Sequence, residues 1–474
     1  MSFSNIQKLY SKGTIHFVGI GGIGMSALAL ILHKVGCKIQ GSDLISNANT
    51  KKLEELGIKC FVGHEAENIN DDVILIVETS IIKTTNPEIV KANAKGIPIV
   101  RRADILAEIM RGKKGISVAG THGKTSTTAM ISVMMEKVGF DPTIVNGGVI
   151  NYFGSNAKFG NGDFVVAESD ESDGSFVKLP TFIGAINNIE PEHMEFYNNN
   201  FELVKDYYKK YAAQIPTDGL LAMCIDDKTT AELYPQIAKD RNNVVSLSIK
   251  NPDADYFGHN IVYHQGGIRF DVKIKKTGEI IKEIDLQAYG IHNVKNALAP
   301  VAIGVFLGLD FNKIKKGIAA YTGVKRRFTK VGEVGGITII DDYGHHPTEI
   351  AAVFKAAKTI LPNNKLIAVF QPHKYTRTRD LFKEFCNSFN DVDVVVITDI
   401  YSANQEPIVG VNQDSLIEGI KKNGHKNVLK LNSESDLPKI IADIAHPGDM
   451  VVCIGAGSIS NWANILPSKL KEIL

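Results

Sequence analysis

Gly120-Thr121-His122-Gly123-Lys124-Thr125 stands between a β-branched run at 116–119 and a helical pattern at 126–138. A loop that cradles phosphate needs glycines whose backbone N–H groups can face the oxygens. It also needs the positive end of a helix, a lysine for the outer phosphates and a hydroxyl for Mg²⁺. All four are present. The longer phosphate-loop pattern would place its first glycine at Val118, so this is the shorter GxxGKT form. A strand, a tight glycine turn and a helix make one βα unit, and repeated βα units build a parallel sheet flanked by helices. The expected fold class is therefore α/β.

Ligands in such a sheet gather at the carboxyl ends of neighbouring strands. The run at 163–167 leads into Glu168, and the run at 182–187 is followed by Pro191-Glu192-His193. Thr125, Glu168 and His193 together could hold one or two Mg²⁺ against the phosphates, with the hard oxygens suiting that ion best. In the acidic run Glu168-Ser169-Asp170-Glu171-Ser172-Asp173, a solvated loop is as good a reading as a site for Asp170, Glu171 and Asp173.

A second glycine turn lies near the N-terminus. Gly19-Ile20-Gly21-Gly22-Ile23-Gly24 follows a strand at 15–18, and Asp43 follows a second strand at 37–40 at the distance of a ribose-binding acid. Alone, this pattern means NAD or another nucleoside diphosphate. A dehydrogenase has no need of the GKT loop and a kinase has no need of this one, so one chain with both points to two nucleotide-containing substrates. A further pair of loops is cationic. Asp341-Asp342-Tyr343-Gly344-His345-His346-Pro347 follows a strand at 337–340, and Gln371-Pro372-His373-Lys374-Tyr375-Thr376-Arg377-Thr378-Arg379 follows one at 366–370. Arginine and histidine clustered at strand ends can bind carboxylate and phosphate.

The 474 residues exceed what one core serves, and about three domains are expected. Residues 111–115 and 321–328 read as hinges, and residues 244–286 as antiparallel strands added to the edge of the central sheet. With 53 Lys and Arg against 52 Asp and Glu, no polyanionic partner such as nucleic acid is indicated. The polar opening residues and the lack of a long apolar run are expected for a soluble cytosolic protein without a membrane partner. The five scattered cysteines form no CxxC pair and read as small buried hydrophobes.

GIGGIGMS from Gly19, GTHGKTSTT from Gly120, ESDESDGSF from Glu168, NNIEPEHME from Asn187, GIHNVKNALA from Gly290, RRF from Arg326, DDYGHHPTEI from Asp341 and FQPHKYTRTRDL from Phe370 occur in an order and spacing that resemble the Mur ligase family over essentially the whole chain. The resemblance implies a Rossmann-like N-terminal domain for the UDP portion of a substrate (1–110) and a central P-loop ATPase domain with a parallel sheet and antiparallel edge strands (111–325). It implies a Rossmann-like C-terminal ligase domain at 326–474. It implies ATP and Mg²⁺ as cofactors, UDP-N-acetylmuramate and L-alanine as substrates, and an acyl-phosphate intermediate in cytoplasmic peptidoglycan precursor synthesis by a monomer or weak homodimer.

Carried over residue by residue, Gly120, Thr121, His122, Gly123, Lys124, Thr125 and Ser126 would wrap the ATP phosphates. His292, Asn293 and Asn296 would lie near adenine, and Arg327 and Asp342 would also reach ATP. Thr125, Glu168 and His193 would hold metal, and Lys124, Glu168, His193 and Arg327 would carry the chemistry. Gly21, Gly22, Gly24, Asp43, Ser80, Tyr343, His345, His373, Arg377 and Arg379 would face the sugar nucleotide or the amino acid. Lys374 stands where the family often has arginine, which keeps the charge but loses the fork. The nearest alternative is a ligase that recycles a murein tripeptide onto the same UDP-sugar; GIGGIGMS favours addition of alanine.

Overall fold

Three sheets organise the described residues, and each of the two glycine loops is the turn from a strand into a helix. The computed structural model describes residues 12–239, 241–264, 266–361 and 363–474. The first sheet contains β1 (Thr14–Val18), β2 (Lys38–Asp43), β3 (Lys59–Val62), β4 (Val73–Glu78) and β5 (Ile99–Arg101), parallel throughout in the order β3-β2-β1-β4-β5. β1 is covered on both faces, which is why it reads as a nearly continuous apolar run. Strand order reverses at β1, and the loop Gly19–Gly24 opens at its carboxyl end, where a ligand crevice is expected.

The second sheet holds β6 (Lys114–Ala119), β7 (Thr143–Ile150), β8 (Ser155–Lys158), β9 (Phe164–Glu168), β10 (Ile183–Ile186), β11 (Leu220–Cys224), β12 (Val244–Ser248), β13 (Tyr256–His264), β14 (Gly267–Ile274) and β15 (Ile280–Leu286). Their order is β15-β14-β13-β12-β11-β10-β6-β9-β7-β8. β6 lies between β9 and β10, parallel to both, so their carboxyl ends meet at the GKT loop. Ile15, Phe17, Leu28 and Leu32 of the first sheet and its helix share one buried cluster with Val145, Val165 and Ala167 of the second. Each such side chain contributes about 1.5–3 kcal/mol when fully buried.

Two readings of the sequence are corrected here. Residues 244–286 are not all antiparallel: β12 runs parallel to β11, and β13 starts parallel to β12 over two residue pairs. β13, β14 and β15 are consecutive both in the chain and in the sheet, so the hairpin edge begins at β13. The basic stretch 111–115 is not wholly a linker, because Lys114 and Gly115 already pair with Phe164 and Val165. A Cβ on Gly115 would lie 2.2 Å from the Pro180 carbonyl oxygen, so glycine is required by packing there, not by a turn.

The third sheet comprises β16 (Thr329–Val334), β17 (Ile337–Asp342), β18 (Leu366–Phe370), β19 (Val394–Ile397), β20 (Val428–Lys430) and β21 (Met450–Ile454), in the order β16-β17-β21-β18-β19-β20. Only β16 is antiparallel. The described chain divides into two compact units. One runs to Thr322 and carries the first two sheets; the other starts at Gly323, takes in 266–268 and 288–293, and carries the third. No helix among the described residues is long and apolar enough to cross a membrane.

Candidate active site

The GKT loop is held from below by the asparagines that follow β10. The Thr121 N–H donates to the Asn188 carbonyl (3.1 Å), and the His122 N–H donates to the Asn188 side chain (2.7 Å). The Asn187 amide reaches Thr127 at 3.0 Å. Gly123 sits in the left-handed region (φ +79°) as the N-cap of helix Lys124–Lys137, and a Cβ there would lie 2.6 Å from Asn296 Oδ1. Only glycine meets both demands. Asn296 is thus placed directly behind the loop.

Lys124 donates to the carbonyls of Gly120 (2.5 Å) and Thr121 (3.2 Å) and to Glu171 (2.9 Å). Burial by itself would lower its pKa, but the carboxylates of Glu171, Asp170 and Glu168 outweigh that and raise it, so the ammonium stays charged. Glu171 is 4 % exposed, and burial raises its own pKa despite the lysine. Asp170 bonds Arg102 at 3.2 Å, and Asp173 accepts the Ser175 N–H. The acidic run is therefore not a solvated loop: Asp170 and Glu171 each hold a cation.

Glu168, the last residue of β9, accepts from the Thr125 hydroxyl (3.2 Å) and from the Gly147 N–H (2.5 Å). Two hard oxygens thus converge at the mouth of a phosphate loop, which is the donor set Mg²⁺ prefers. His193 lies after β10 in a left-handed conformation (φ +53°), with its carbonyl accepting the Phe196 N–H. Among the described residues the direct bond is between Thr125 and Glu168, and His193 is bonded to neither.

A cavity of about 420 Å³ joins this loop to the N-terminal one. Gly22, Gly24 and Ser80 line it from the first sheet, and Lys124, Glu168 and Asp170 from the second. Arg101 and Arg102 line it too, paired with Glu78 (3.4 Å) and Asp170 (3.2 Å). Gly21 lies beside the cavity lining, and its N–H donates to Asp43 at 2.9 Å. Asp43 therefore braces the glycine loop. Reasoning from sequence missed Arg101, Arg102, Asn146 and Gly147 in this lining. Their one local signal is position, an arginine pair at the end of β5 and an Asn-Gly-Gly stretch within β7.

The second unit has its own cluster at the ends of β17 and β18. The guanidinium carbons of Arg326 and Arg327 lie 4.8 and 5.2 Å from the Tyr343 ring centre. The His345 ring meets those of Tyr343 (5.1 Å) and His373 (5.8 Å) edge-on, and Arg377 reaches His373 Nδ1 at 3.2 Å. Burial, then His345, Arg377, Lys374 and Arg326, push the His373 pKa down to about 3, so its imidazole is neutral. Asp342 accepts the N–H groups of Phe328 and Gly344, both at 2.7 Å, yet burial raises its pKa to about 6. His292 and Asn293 are neighbours in this unit, with the Asn293 amide on the Tyr289 carbonyl at 2.7 Å. Arg379 stands apart from the cluster, turned to Asp380 at 2.7 Å.

A glycine loop and a GKT loop whose Thr125 bonds the Glu168 carboxylate open into one cavity, the arrangement of an ATP-dependent ligase. The chain belongs to the Mur ligase family: the family's catalytic-domain model matches residues 14–114, its middle domain 118–304 and its glutamate ligase domain 326–457. It is 47% identical over 465 residues to the UDP-N-acetylmuramate–L-alanine ligase of Rhodospirillum rubrum, covering 97% of this chain and 95% of that one. The crystal structure of the UDP-N-acetylmuramate–alanine ligase MurC of Thermotoga maritima matches with a TM-score of 0.84 at 28% identity, over 98% of this chain and 100% of that one. A murein peptide ligase of Psychrobacter arcticus shares the fold at a TM-score of 0.72 and 23% identity, over 98% of this chain and 99% of that one.

Proposed function

We propose that this chain joins L-alanine to the carboxylate of UDP-N-acetylmuramate with conversion of ATP to ADP and phosphate, in cytoplasmic peptidoglycan precursor synthesis. The observation that carries the reading is the single cavity lined by Gly22, Gly24 and Ser80 on one side and by Lys124 and Glu168 on the other. It lets a sugar nucleotide on the first loop present its carboxylate to a phosphate on the second. The relatives named as alanine ligases support alanine as the acceptor over a recycled tripeptide.

The domains serving this reaction are 1–110 for the sugar nucleotide, 111–325 for ATP and 326–474 for ligation. A carboxylate is a poor acyl donor. Its oxygen attacks the γ-phosphate, ADP leaves, and the amine then attacks the acyl carbon and expels phosphate. Lys124 and Arg327 neutralise the charge that gathers on the transferred group, and alignment does most of the rest. Mg²⁺, when bound by Thr125 and Glu168 with His193 as a further ligand, supplies additional charge neutralisation. Gly120 to Ser126 enclose the phosphates, with His292, Asn293, Asn296 and Asp342 completing the ATP site. Tyr343, His345, His373, Arg377 and Arg379 receive the muramoyl group and the amino acid. The protein acts as a monomer or weak homodimer, without nucleic-acid or membrane partners.

Phosphate release tests this. With ATP, Mg²⁺ and UDP-N-acetylmuramate, L-alanine is expected to start turnover and the tripeptide L-alanyl-γ-D-glutamyl-meso-diaminopimelate is not. The reverse preference would assign the chain to recycling.

A further inference from the structure

Glu171 has no part in the reaction above, yet it is the anion on which the loop lysine rests. Lys124 Nζ lies 2.9 Å from its Oε1 and 2.8 Å from its Oε2, and among the described residues this ammonium is the cation paired with it. The other carboxylates of the run are engaged elsewhere: Asp170 on Arg102 at 3.2 Å, Glu168 on the Thr125 hydroxyl and the Gly147 N–H, and Asp173 on the Ser175 N–H. The Asp170 charge still lies close enough to oppose ionisation of Glu171.

Glu171 cannot follow the lysine if the lysine moves. Its backbone carbonyl accepts the Tyr197 hydroxyl at 2.5 Å and the Gly174 N–H at 3.1 Å, which fixes the main chain on both sides. Tyr197 and Tyr208, the latter on helix Phe201–Ala213, are both fully buried. Burial first and the Glu171 charge second raise the pKa of each phenol, so the carboxylate faces an apolar interior and not water. Lys124 lines the cavity and Glu171 does not. The ammonium therefore stands between the buried anion and the space that a γ-phosphate must enter.

An arriving phosphate oxygen has to displace an acceptor, since Gly120, Thr121 and Glu171 already take the three ammonium protons. Turning the ammonium toward the phosphate breaks its bond to Glu171 and strands a buried carboxylate, which is strongly unfavourable unless the group is neutralised. Giving up a loop carbonyl instead makes a carboxylate and a phosphate share one ammonium, and their repulsion acts on the same group. Burial already raises the Glu171 pKa with the lysine beside it, and withdrawing the lysine acts in the same direction.

We infer that Glu171 is a positioning residue for Lys124, an anion in the nucleotide-free protein and a neutral carboxyl once ATP is bound. The bond from the Lys124 N–H to Glu171 breaks and one to the γ-phosphate forms. The carboxylate takes one proton from solvent and returns it when the phosphate leaves. The lysine charge is then delivered undivided to the phosphoryl group, where it counts most in the transition state. The inference rests on the proposed function for ATP as the ligand of the GKT loop.

Calorimetric titration of the full-length protein with ATP and Mg²⁺, without sugar nucleotide, counts the protons when it is repeated in buffers of different ionisation enthalpy. At about pH 7.5 the wild type should take up about one proton per ATP, and its ATP affinity should fall about tenfold for each pH unit of increase. Glu171→Gln keeps the size and an oxygen acceptor for Lys124. It should bind ATP without proton uptake and with an affinity that does not change over the same pH range. ATP binding to the wild type without proton uptake would overturn the inference and leave the ATP site standing. So would a folded Glu171→Gln that takes up as many protons as the wild type, because Glu171 would then only brace the loop. If thermal melts show that Glu171→Gln does not fold, infrared difference spectra of the wild type decide: a protonated-carboxyl band should appear on addition of ATP, and its absence would refute the proton transfer. Wild-type protein that does not bind ATP at all would remove the functional reading and the inference with it.

Discussion

Lys124 shows how one residue's surroundings define its task. All three of its ammonium protons have acceptors in Gly120, Thr121 and Glu171, so engaging a γ-phosphate means exchanging at least one of them. Lys124→Ala should fold and lose about two to three orders of magnitude in kcat, the scale seen when one fixed transition-state donor is removed. Phosphate-release kinetics at saturating substrates would show this, and wild-type turnover would remove the loop from the mechanism. Asp342 offers a thermodynamic counterpart. Its folded pKa of about 6 lies above the ordinary 3.8, so the folded state holds the proton more tightly. That contribution to stability is complete below about pH 4 and is lost as pH rises through 6; the gap corresponds to about 3 kcal/mol. Denaturant titrations of wild type and Asp342→Asn between pH 4 and 7 should show that the substitution removes this decline. Equal pH slopes would mean that Asp342 does not titrate there.

Among the elements, the turns were the most legible and the sheet edges the least. Gly120, Gly123 and Gly19 announced their loops because positive φ leaves few other residues possible. By contrast β8 is Ser-Asn-Ala-Lys, with no β-branched residue to mark it, and it is ordered by antiparallel pairing with β7. β16, half-buried and with a shifted register, follows the 321–328 hinge directly and was not singled out from the sequence. β12 looked like the start of a meander, since period and length do not reveal the direction in which a strand pairs. The GKT loop also yields a prediction at this scale. Gly123→Ala must adopt a left-handed conformation, at about 1–2 kcal/mol, and must push back Asn296. We expect a lower Tm and ADP affinity at least tenfold weaker by calorimetry; wild-type ADP affinity would mean the loop tolerates a Cβ.

At the level of the whole molecule, the motifs named the two loops but not the cavity that joins them. Gly22 and Lys124 are about a hundred residues apart in the chain. What brings their strand ends together is a shared apolar cluster in which Phe17 and Leu28 meet Val145 and Val165, and no local pattern encodes that. Arg102 was passed over for the same reason, since its partner Asp170 follows a strand of the other sheet, while Arg101 meets Glu78 across neighbouring strands of its own sheet. His193, legible as a motif residue, is not joined to Glu168 in the structure, so its role remains a proposal to be tested by Mg²⁺ titration. Glu168→Ala should raise the Mg²⁺ concentration for half-maximal activity sharply, and His193→Ala should raise it less. Equal titration curves for wild type and Glu168→Ala would assign the metal elsewhere.

The central claim is that a carboxylate held on the first loop is phosphorylated at the second. UDP-N-acetylmuramate labelled with ¹⁸O in its carboxylate, turned over with ATP and L-alanine, tests that step directly. The account predicts one ¹⁸O atom in each released phosphate, because the oxygen that attacks the γ-phosphate leaves with it when the amine attacks the acyl carbon. Unlabelled phosphate formed alongside the ligated product would contradict it.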